Sequence, residues 1–544
     1  MKILVLLIMF IIFRIDISHS QIIPEWVSTY SNSNDSDAGI SLALDRSGNI
    51  FVTGISSGLE ASTDIVTLKY NSMGVRLWAK SYHFGGNSHS EATDIAVDGS
   101  GNVYVTGYSS REYLTIKYNI SGDQVWIRRY HGPSSFPDDK SYSIAIDNDD
   151  NIYITGGSKD GKYYFDFATI KYDSSGTQLW VQRYNGPGNG NDVAGSIAAD
   201  LYGNIYITGY SSGDSTFADF CTIKYNSSGQ QQWVNRYDGI GGFDDAAKSI
   251  TIDDNGNVYV TGYSYGNETF RDFATIKYNN SGDLLWGKRF SGTGFSSDES
   301  VEVTTDLNGN VYVIGVSDEM NGNKSDFVTL KYNAGGDQLW FQRYNGTGNG
   351  IDAPTSVVTG RNGNVYVTGY SFGIGENTDI LTIAYDSMGV NQWIDRRDGS
   401  AHNSDIAKSM VIDSSDNLFL TGFITEIGSY INFVTIKYSL TTGINFISNQ
   451  ISEKFALQQN YPNPFNPVTK IKFEIPQDIK RVTQYVKLII YDALGKELQV
   501  LVNEILNAGL YETEFNGNNF ASGVYFYKLE SGDFVETKRM ILLK

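Results

Sequence analysis

The stretch GNVYVTGYSYGNETFRDFATIKYNNSGDLLWGKRF, residues 256–290, holds most of the unit that decides the fold of this chain. Together with SITID just before it, the stretch contains four short runs rich in β-branched and aromatic residues, the others being NVYVTG, FATIKY and LLWGKRF. Asn, Asp, Ser and Gly separate these runs, and no helical periodicity interrupts them. The unit is therefore predicted to be four strands joined by turns.

The same unit returns eight times, and a tryptophan marks each return at intervals of 48 to 54 residues, with Phe446 at the next interval: Trp26, Trp78, Trp126, Trp180, Trp233, Trp286, Trp340 and Trp393. Self-similarity at this period is typical of repeat architectures. We predict an all-β chain whose first part is an eight-bladed β-propeller of four-stranded blades, because radial repetition leaves few exposed edges. A solenoid would need caps at both ends and would expose edge strands.

A ring of blades must be closed by joining its two ends. The segment EWVSTY, residues 25–30, precedes the first full repeat and is predicted to be the outer strand of the last blade. The segment INFISNQ, residues 444–450, then becomes a linker. The opposite assignment, with Phe446 in the sheet and Trp26 outside it, remains open.

Links within the repeat are of two kinds. The first-to-second and third-to-fourth links are short and uniform, whereas the other two links are longer and differ between repeats. Alternate links of an up-and-down blade lie on opposite faces, so the variable loops share one face, where binding usually resides. The candidate ligand-binding residues there are aromatic, and they could equally pack the loops: Tyr163, Tyr164, Phe217, Tyr265 and Phe270.

Acidic residues recur at two positions on this variable face. The first forms a predicted ring that could hold a cation, with calcium possible, or could cap the loops by accepting backbone N–H bonds: Asp37, Asp139, Asp192, Asp245, Asp298, Asp352 and Asp405, with Ser90 in the remaining copy. The second position precedes the third strand: Asp64, Glu112, Asp166, Asp219, Asp272, Asp326, Asp379 and Asn432. Capping is the favoured interpretation, and no metal site is assigned.

Composition narrows the class of protein. The formal charge of −20 over 544 residues argues against binding to nucleic acid or to an anionic membrane. The single cysteine, Cys221, stands where sibling repeats have alanine or valine and is predicted to be a small buried residue. No nucleophile elbow, phosphate loop or metal-ligand spacing of histidines is present, so no catalytic residue and no cofactor are assigned.

The first residues, MKILVLLIMFIIFRIDISHS, combine Lys2, an apolar run and small residues near position 20, which is typical of a cleaved signal peptide over residues 1–20. The apolar run is too short to span a bilayer. We expect a mature chain from Gln21 with no transmembrane segment.

The units GNVYVTG, DFATIKYN and SGDLLW resemble the SBBP family of bacterial β-propeller repeats, which supports a propeller over residues 21–450. The SGDLLW and SGTQLW copies also resemble the tryptophan-docking motif of quinoprotein dehydrogenases, in which a glycine packs on a neighbouring tryptophan. Those enzymes cap a quinone with adjacent cysteines, which one cysteine cannot supply.

The last part, residues 451–544, is similar to the type A C-terminal sorting domain of the type IX secretion system. The matching residues are Asn460, Tyr461, Pro462, Asn463, Pro464, Phe465, Tyr491, Asp492, Gly495, Lys496, Gly523, Val524, Tyr525 and Lys538. This resemblance implies export by that machinery to the cell surface or the medium. Six or seven strand-like runs predict an immunoglobulin-like β-sandwich.

Taken together, these patterns predict a secreted or surface propeller that acts as a noncatalytic binding or adhesion module for polysaccharide or a surface protein. The alternative is an extracellular polysaccharide-active enzyme with a site at the channel mouth. Departures from the repeat that would mark such a site are Ser90, Glu91, Lys140, Glu299 and Arg361.

Overall fold

A computed structural model describes residues 22–544 apart from a set of short stretches: 23, 33–35, 58–61, 86–87, 137, 162, 215–216, 267–269, 293–296, 319–323, 362, 374–376, 429–430, 440–443, 449–453, 477–482, 518–519 and 533. The predicted signal peptide, residues 1–20, lies outside the described residues. The described part of the chain contains strands and turns, and it offers no helical segment with the length and apolarity needed to cross a membrane.

The strands of the repeat region are, in chain order, β1 Trp26–Tyr30, β2 Asp37–Leu44, β3 Ile50–Ser57, β4 Thr63–Tyr70, β5 Arg76–Tyr82, β6 Ser90–Val97, β7 Val103–Ser109, β8 Glu112–Tyr118, β9 Gln124–Tyr130, β10 Lys140–Ile146, β11 Ile152–Lys159, β12 Phe165–Tyr172, β13 Gln178–Tyr184, β14 Asp192–Ala199, β15 Ile205–Ser212, β16 Ala218–Tyr225, β17 Gln231–Tyr237, β18 Ala246–Ile252, β19 Val258–Tyr265, β20 Arg271–Tyr278, β21 Leu284–Phe290, β22 Asp298–Thr305, β23 Val311–Asp318, β24 Ser325–Tyr332, β25 Gln338–Tyr344, β26 Ala353–Thr359, β27 Val365–Phe372, β28 Thr378–Tyr385, β29 Asn391–Arg397, β30 Ile406–Ile412, β31 Leu418–Thr425 and β32 Ile431–Tyr438. The C-terminal strands are β33 Ile444–Ser448, β34 Ala456–Leu457, β35 Val468–Ile475, β36 Thr483–Tyr491, β37 Glu497–Asn507, β38 Gly509–Asn516, β39 Gly523–Ser531 and β40 Phe534–Leu542.

Within the described residues the strands form ten four-stranded antiparallel sheets, and the repeat region is consistent with propeller blades. We number its sheets 1 to 7 from β2–β5 through β26–β29, each in simple chain order, and sheet 8 contains β30, β31, β32 and β1. Strand β1 pairs with β32, Trp26 opposite Lys437, which confirms the predicted role of EWVSTY. The linker assigned to INFISNQ was wrong, because β33 within it pairs with β38 of the C-terminal part.

Turn residues explain why each strand returns on its neighbour. In sheet 5 the Asp253 carboxylate accepts the N–H groups of Asn255 and Asn257, both at 2.9 Å, and Gly256 supplies the positive φ of 76°. Between the third and fourth strands Asn279 accepts two N–H bonds in the same way, and Gly282 has φ of 88°. Short polar side chains that bond their own backbone stabilise such turns.

The hydrophobic core is divided among the seams between consecutive sheets. Each of eight clusters combines buried residues of two neighbouring sheets. The cluster that contains Leu42, Ile50 and Phe419 joins sheet 8 to sheet 1. The first strands of these two sheets, β30 and β2, are also in contact. Cys221 lies fully buried in one seam, as predicted, and burial raises the pKa of its thiol to about 12.

Seven of the eight seams are also bridged by a docked tryptophan. In sheet 5, Trp286 Nε1 and Lys277 Nζ both donate to the carbonyl of Ala334 in sheet 6, at 3.2 and 3.0 Å. A Cβ on Gly336 would lie 2.9 Å from the Trp286 ring, so glycine permits the contact. The same bond from tryptophan to a carbonyl of the next sheet occurs at seven seams: Trp26–Ser72, Trp78–Ile120, Trp126–Ser174, Trp180–Ser227, Trp233–Asn280, Trp286–Ala334 and Trp340–Ser387.

The seam between sheets 7 and 8 is different, because sheet 8 takes its outer strand from the other end of the repeat region, and its described residues include no third-to-fourth hairpin that could receive Trp393. Here the Tyr438 hydroxyl donates to the buried Asp395 carboxylate at 2.7 Å. Arg397 forms an ion pair with the same carboxylate at 2.7 Å. A buried polar triad thus bridges this seam where the other seven have a docked tryptophan.

The C-terminal strands form two sheets, one in the order β33-β38-β35-β34 and the other in the order β37-β36-β39-β40. One hydrophobic cluster combines Ile471 and Phe473 of the first sheet with Leu488 and Leu529 of the second. The two sheets therefore bury their apolar faces together.

Candidate functional site

The aspartates of the first acidic position are buried, and each accepts a hydrogen bond from a backbone N–H group of a loop. The Asp192 carboxylate accepts the Gly186 N–H at 2.7 Å with one oxygen and the Ser212 N–H at 3.0 Å with the other. Its side chain is fully buried, and burial raises its pKa. Equivalent bonds to a loop N–H are made by Asp37, Asp139, Asp245, Asp298, Asp352 and Asp405. Ser90 instead shares a hydrogen bond with Ser109.

The second acidic position forms ion pairs with an arginine of the fourth strand. In sheet 3, Arg183 contacts Asp166 at 2.9 Å and also donates to the side chain and carbonyl of Ser158. Five further pairs repeat this arrangement: Arg129–Glu112, Arg236–Asp219, Arg289–Asp272, Arg343–Asp326 and Arg396–Asp379. Where Ser81 replaces the arginine, His83 pairs with Asp64. Where Thr29 replaces it, the acid is also missing and Asn432 stands in its place.

Two carboxylate clusters among the described residues come close enough to hold a metal ion, Asp219, Asp238 and Asp245 in one and Asp379, Asp398 and Asp405 in the other, with ligand oxygens within 4.8 Å. Most of these carboxylates already cap a loop or pair with arginine. Burial, with Asp398 and Asp379 nearby, raises the pKa of Asp405 to about 6. Their contacts therefore identify these residues first as parts of the loop structure.

Four of the predicted aromatic residues are on the variable loops and Tyr265 ends β19 next to one of them, but the structure brings only some of the five together. Phe217 stacks on Phe243, with ring centroids 5.8 Å apart, and Phe243 contacts Tyr265 at 5.6 Å. Tyr163 and Tyr164 contact each other at 6.4 Å. Phe270 is exposed at the position in sheet 5 that corresponds to Phe217 in sheet 4, and no ring contact joins it to a described aromatic residue.

The aromatic cluster of Phe217, Phe243 and Tyr265 is held by backbone bonds. The Ala218 N–H donates to the Asp244 carboxylate at 3.0 Å, and the Asp245 N–H donates to the Ala218 carbonyl at 2.6 Å. Asp245 also accepts the N–H of Tyr265 at 2.9 Å. The cap of the first acidic position therefore fixes the loops that carry all three rings, while 56% of Phe217 and 53% of Phe243 remain exposed.

Two residues of this site, Phe243 and Arg271, were missed in the sequence. Arg271 lies over the rings of Tyr263 and Tyr265, at 4.2 and 5.6 Å, and forms an ion pair with Glu299 of sheet 6. The available signal was departure from the repeat. No other copy has an aromatic residue two positions before the ring aspartate, and only sheet 2, with Arg111, has another arginine directly before the second acidic position.

A second set of departures lies on the first strands. Each first strand has a β-bulge, and the residue after it is serine in six sheets, Asp94 in sheet 2 and Glu302 in sheet 6. Asp94 accepts bonds from Ser41 of sheet 1 at 3.0 Å and from Ser143 of sheet 3 at 3.2 Å. Glu302 accepts the Val357 N–H at 2.7 Å. Burial raises the pKa of Glu302 to about 7, and the charge of Asp94 contributes to the rise.

The residues proposed for an enzyme at the channel mouth are dispersed. Glu91 accepts a hydrogen bond from Tyr108, whose ring lies 4.8 Å from the Lys140 ammonium. Arg361 was placed on the wrong face: it follows β26 in a tight first-to-second turn, where its N–H donates to Asp416 of the next sheet at 3.1 Å.

Most of the C-terminal motif residues support the fold of their domain. Asn460 is buried and donates to the Pro462 carbonyl and Thr469 hydroxyl, while Phe465 packs in the core. Gly495 takes φ of 82° in a turn capped by Asp492. Further bonds hold Asn463 to Ile541, Tyr525 to Ala521 and Lys538 to Glu536. Pro462 and Pro464 lie in the exposed loop between β34 and β35, and Gly523 begins β39.

Some residues of this domain face solvent instead. Tyr461 is 81% exposed and Leu494 is 94% exposed. Leu494 lines a cavity of 440 Å³ between the Tyr491–Gly495 turn and the residues Phe526 and Lys528. Exposed positions of this kind are available to a partner, whereas the buried ones are not.

Comparison with protein families finds a secretion system C-terminal sorting domain at residues 459–543. It also finds the SBBP beta-propeller repeat at residues 84–111, 125–160, 179–215 and 236–268. A comparison with curated proteins gives no significant match.

Solved structures similar to this chain include a fungal alcohol oxidase of the AA5 family in complex with copper, with 12% identity, coverage of 96% of this chain and 99% of that one, and a TM-score of 0.38. Drosophila plexin A in complex with semaphorin 1b has 11% identity, coverage of 77% and 88%, and a TM-score of 0.34. A putative exo-beta-1,3-galactanase from Bifidobacterium bifidum has 11% identity, coverage of 49% and 91%, and a TM-score of 0.27. Fold similarity at this level does not transfer function.

The family matches agree with the geometry of both parts of the molecule. The matched repeats fall in sheets 2 to 5, and the matched tail contains β35 to β40. A type IX sorting tail implies interaction with the secretion machinery. The chain thus contains four matched beta-propeller repeats of the SBBP type and a type IX C-terminal sorting domain, and it is exported to the cell surface or the extracellular space.

Proposed function

We propose that sheets 1 to 8 form one closed eight-bladed propeller, followed by a C-terminal sandwich. The buried cluster between sheets 8 and 1 supports closure, as does the bond from Trp26 to Ser72, because both repeat what joins the intervening sheets. Residues 1–20 act as the signal peptide. The boundary predicted between 450 and 451 moves to near residue 440, because β33 belongs to the C-terminal sheet.

This propeller acts outside the cell as a noncatalytic binding or adhesion module whose ligand is polysaccharide. The observation that carries the proposal is the aromatic cluster of Phe217, Phe243 and Tyr265. Two of its rings are more than half exposed, although the loops that bear them are tied together by backbone bonds. Exposed rings held in place lose little entropy on binding, and their faces suit the apolar faces of sugar rings.

The repeat itself strengthens this proposal. Residues that recur in most sheets have structural contacts: the ring aspartates cap loops, and the arginines pair with acids. Phe243 has no counterpart in the other sheets, and Arg271 has one only in Arg111 of sheet 2, yet both converge with Tyr265 at sheets 4 and 5. Several non-repeated residues that lie close together indicate a binding site more strongly than one exposed residue does.

The test is a thermal-shift and native-affinity screen of the full chain against polysaccharides, because a ligand that binds the folded state raises its apparent stability. We expect a saturable shift with at least one polysaccharide and its loss in the Phe217→Ala/Phe243→Ala variant. Tyr202→Ala is the matched control, because Tyr202 is 83% exposed in a tight turn on the opposite face. A shift that survives the double variant, or no shift at all, would contradict the proposal.

A second candidate function, polysaccharide cleavage, is favoured by one observation. Asp94 and Glu302 stand on first strands of sheets 2 and 6, which face each other across an eight-bladed ring, and burial raises the pKa of both carboxyls, that of Glu302 to about 7. Glycoside hydrolysis uses two carboxyl groups, and its general acid is one whose pKa is raised. Release of reducing ends by the wild type, abolished in Asp94→Asn, would favour it over simple binding.

A further inference from the structure

We infer that the ligand of the aromatic cluster is a neutral polysaccharide, recognised through vicinal hydroxyl groups by Arg271 and Glu299. This inference rests on the proposed binding function and assigns its ligand class. The two residues lie next to Tyr265 of the aromatic cluster. Arg271 Nε donates to the Tyr265 hydroxyl at 3.3 Å, and the Arg271 guanidinium pairs with Glu299. About a third of each side chain is exposed, at 35% and 29%.

The guanidinium is oriented before any ligand arrives. Its carbon lies 4.2 Å from the Tyr263 ring centroid, and Glu299 holds it from the neighbouring sheet. A planar guanidinium beside a carboxylate offers paired donors and acceptors at fixed spacing. Adjacent hydroxyls of a sugar ring, stacked on the aromatic cluster, can use both at once.

Charge argues against an anionic ligand. Arg271 is already neutralised by Glu299. Among the described residues, Lys248 lies over the Tyr263 ring and Asp244 lies near it, while Asp318 lies near Glu299. These described groups comprise two cations and three carboxylates, in a molecule of formal charge −20. A uronate or sulfate would have to displace Glu299 and leave it unpaired among other acids, and this kind of repulsion excludes wrong partners.

The test compares a neutral β-glucan and a polyuronate of equal chain length, titrated into the full-length protein at two salt concentrations. We expect the neutral glycan to bind about tenfold tighter or more, with little dependence on salt because no net charge is matched. Glu299→Gln keeps the shape of the side chain but leaves the charge of Arg271 without its carboxylate partner. The variant should therefore bind the polyuronate more tightly, which lowers the ratio of glucan affinity to polyuronate affinity. Tyr202→Ala should leave both affinities unchanged.

The outcomes separate this inference from the function on which it rests. Binding of the polyuronate as tightly as the glucan, or an unchanged ratio in Glu299→Gln, overturns the neutral ligand while glycan binding stands, provided Phe217→Ala/Phe243→Ala still abolishes it. Failure of both glycans to bind overturns both. Thermal unfolding of each variant confirms that the fold is retained.

Discussion

Aromatic side chains have different roles in two regions of the molecule: at the tryptophan seams they join neighbouring sheets, and in the aromatic cluster they form the candidate binding surface. At a seam, Trp286 lies between Tyr259 and Tyr332, donates to Ala334 and covers Gly336, and six other seams repeat the bond. At the cluster, Phe243 stacks on Phe217 but leaves half of its surface to solvent, and no sibling repeat has an equivalent ring. Side chains that recur from sheet to sheet have structural contacts, whereas the side chain that departs from the repeat, Phe243, lies at the candidate binding site.

Truncation at a seam should produce the largest loss of stability. We expect Trp286→Ala to lower the free energy of unfolding by about 3 kcal/mol or more, because a large aromatic side chain and its hydrogen bond are lost together. Leu285→Ala is the control next in sequence; its side chain is 49% exposed, and we expect a change within about 0.5 kcal/mol. Denaturation curves that coincide for the two variants would refute the docked role of tryptophan.

Glu302, on the first strand of sheet 6, should make the free energy of unfolding depend on pH. The pKa of Glu302 is raised by burial to about 7, from an ordinary value of 4.5. As pH rises between these values, the unfolded chain releases this proton while the folded chain keeps it, so the wild type loses stability across that window. Glu302→Gln should therefore be more stable than wild type by about 1 to 3 kcal/mol at pH 8 and equally stable near pH 4. Parallel stability curves from pH 4 to 8 would count against a buried carboxyl facing Asp94.

A smaller loss of stability is expected at the seam between sheets 7 and 8, which has no docked tryptophan among the described residues. Tyr438→Phe removes the hydroxyl that donates to Asp395 but keeps the Asp395–Arg397 pair and most of the packing. We expect a loss of about 1 to 2 kcal/mol in unfolding free energy, as for a buried hydrogen bond to a charged group. Tyr385→Phe, at the equivalent position one sheet earlier, has no such carboxylate partner among the described residues and should lose less. Equal losses in the two variants would contradict the special role of this seam.

The smallest effect on stability is expected at the cluster. Phe243→Ala removes a ring that is already half in solvent, so its unfolding free energy should change by no more than about 0.5 kcal/mol. Its glycan affinity should nevertheless fall about tenfold or more, because stacked aromatic residues are typical hot spots of recognition. Chemical denaturation and titration of the same preparation measure both. A large loss of stability would place Phe243 with the structural residues.

Much of this architecture was readable from local sequence. The turn residues around Gly256 and Gly282 and the β-branched runs between them predicted the strands, and the tryptophan of EWVSTY predicted its pairing with β32. Local chemistry and period suffice where each copy repeats the same contacts. INFISNQ was misassigned because its pairing with β38 lies outside the repeat and depends on a partner more than sixty residues away.

The candidate site was less predictable for a physical reason. Phe217 and Tyr265 could be named from the sequence as candidate ligand-binding aromatic residues, but their meeting through Phe243 depends on Asp244 and Asp245 clamping Ala218 from another loop. The Arg271–Glu299 pair likewise spans two sheets. Arg361 was misjudged because departure from the repeat shows that a residue is special without showing which face carries it.

The most direct test of the central claim measures stability and glycan affinity together in Trp286→Ala and Phe243→Ala. The account predicts opposite patterns: Trp286→Ala loses about 3 kcal/mol of unfolding free energy but binds glycan normally while folded, and Phe243→Ala keeps its stability but loses affinity about tenfold. If both variants lose stability alike, or if Phe243→Ala binds as wild type does, then departure from the repeat does not mark the binding site.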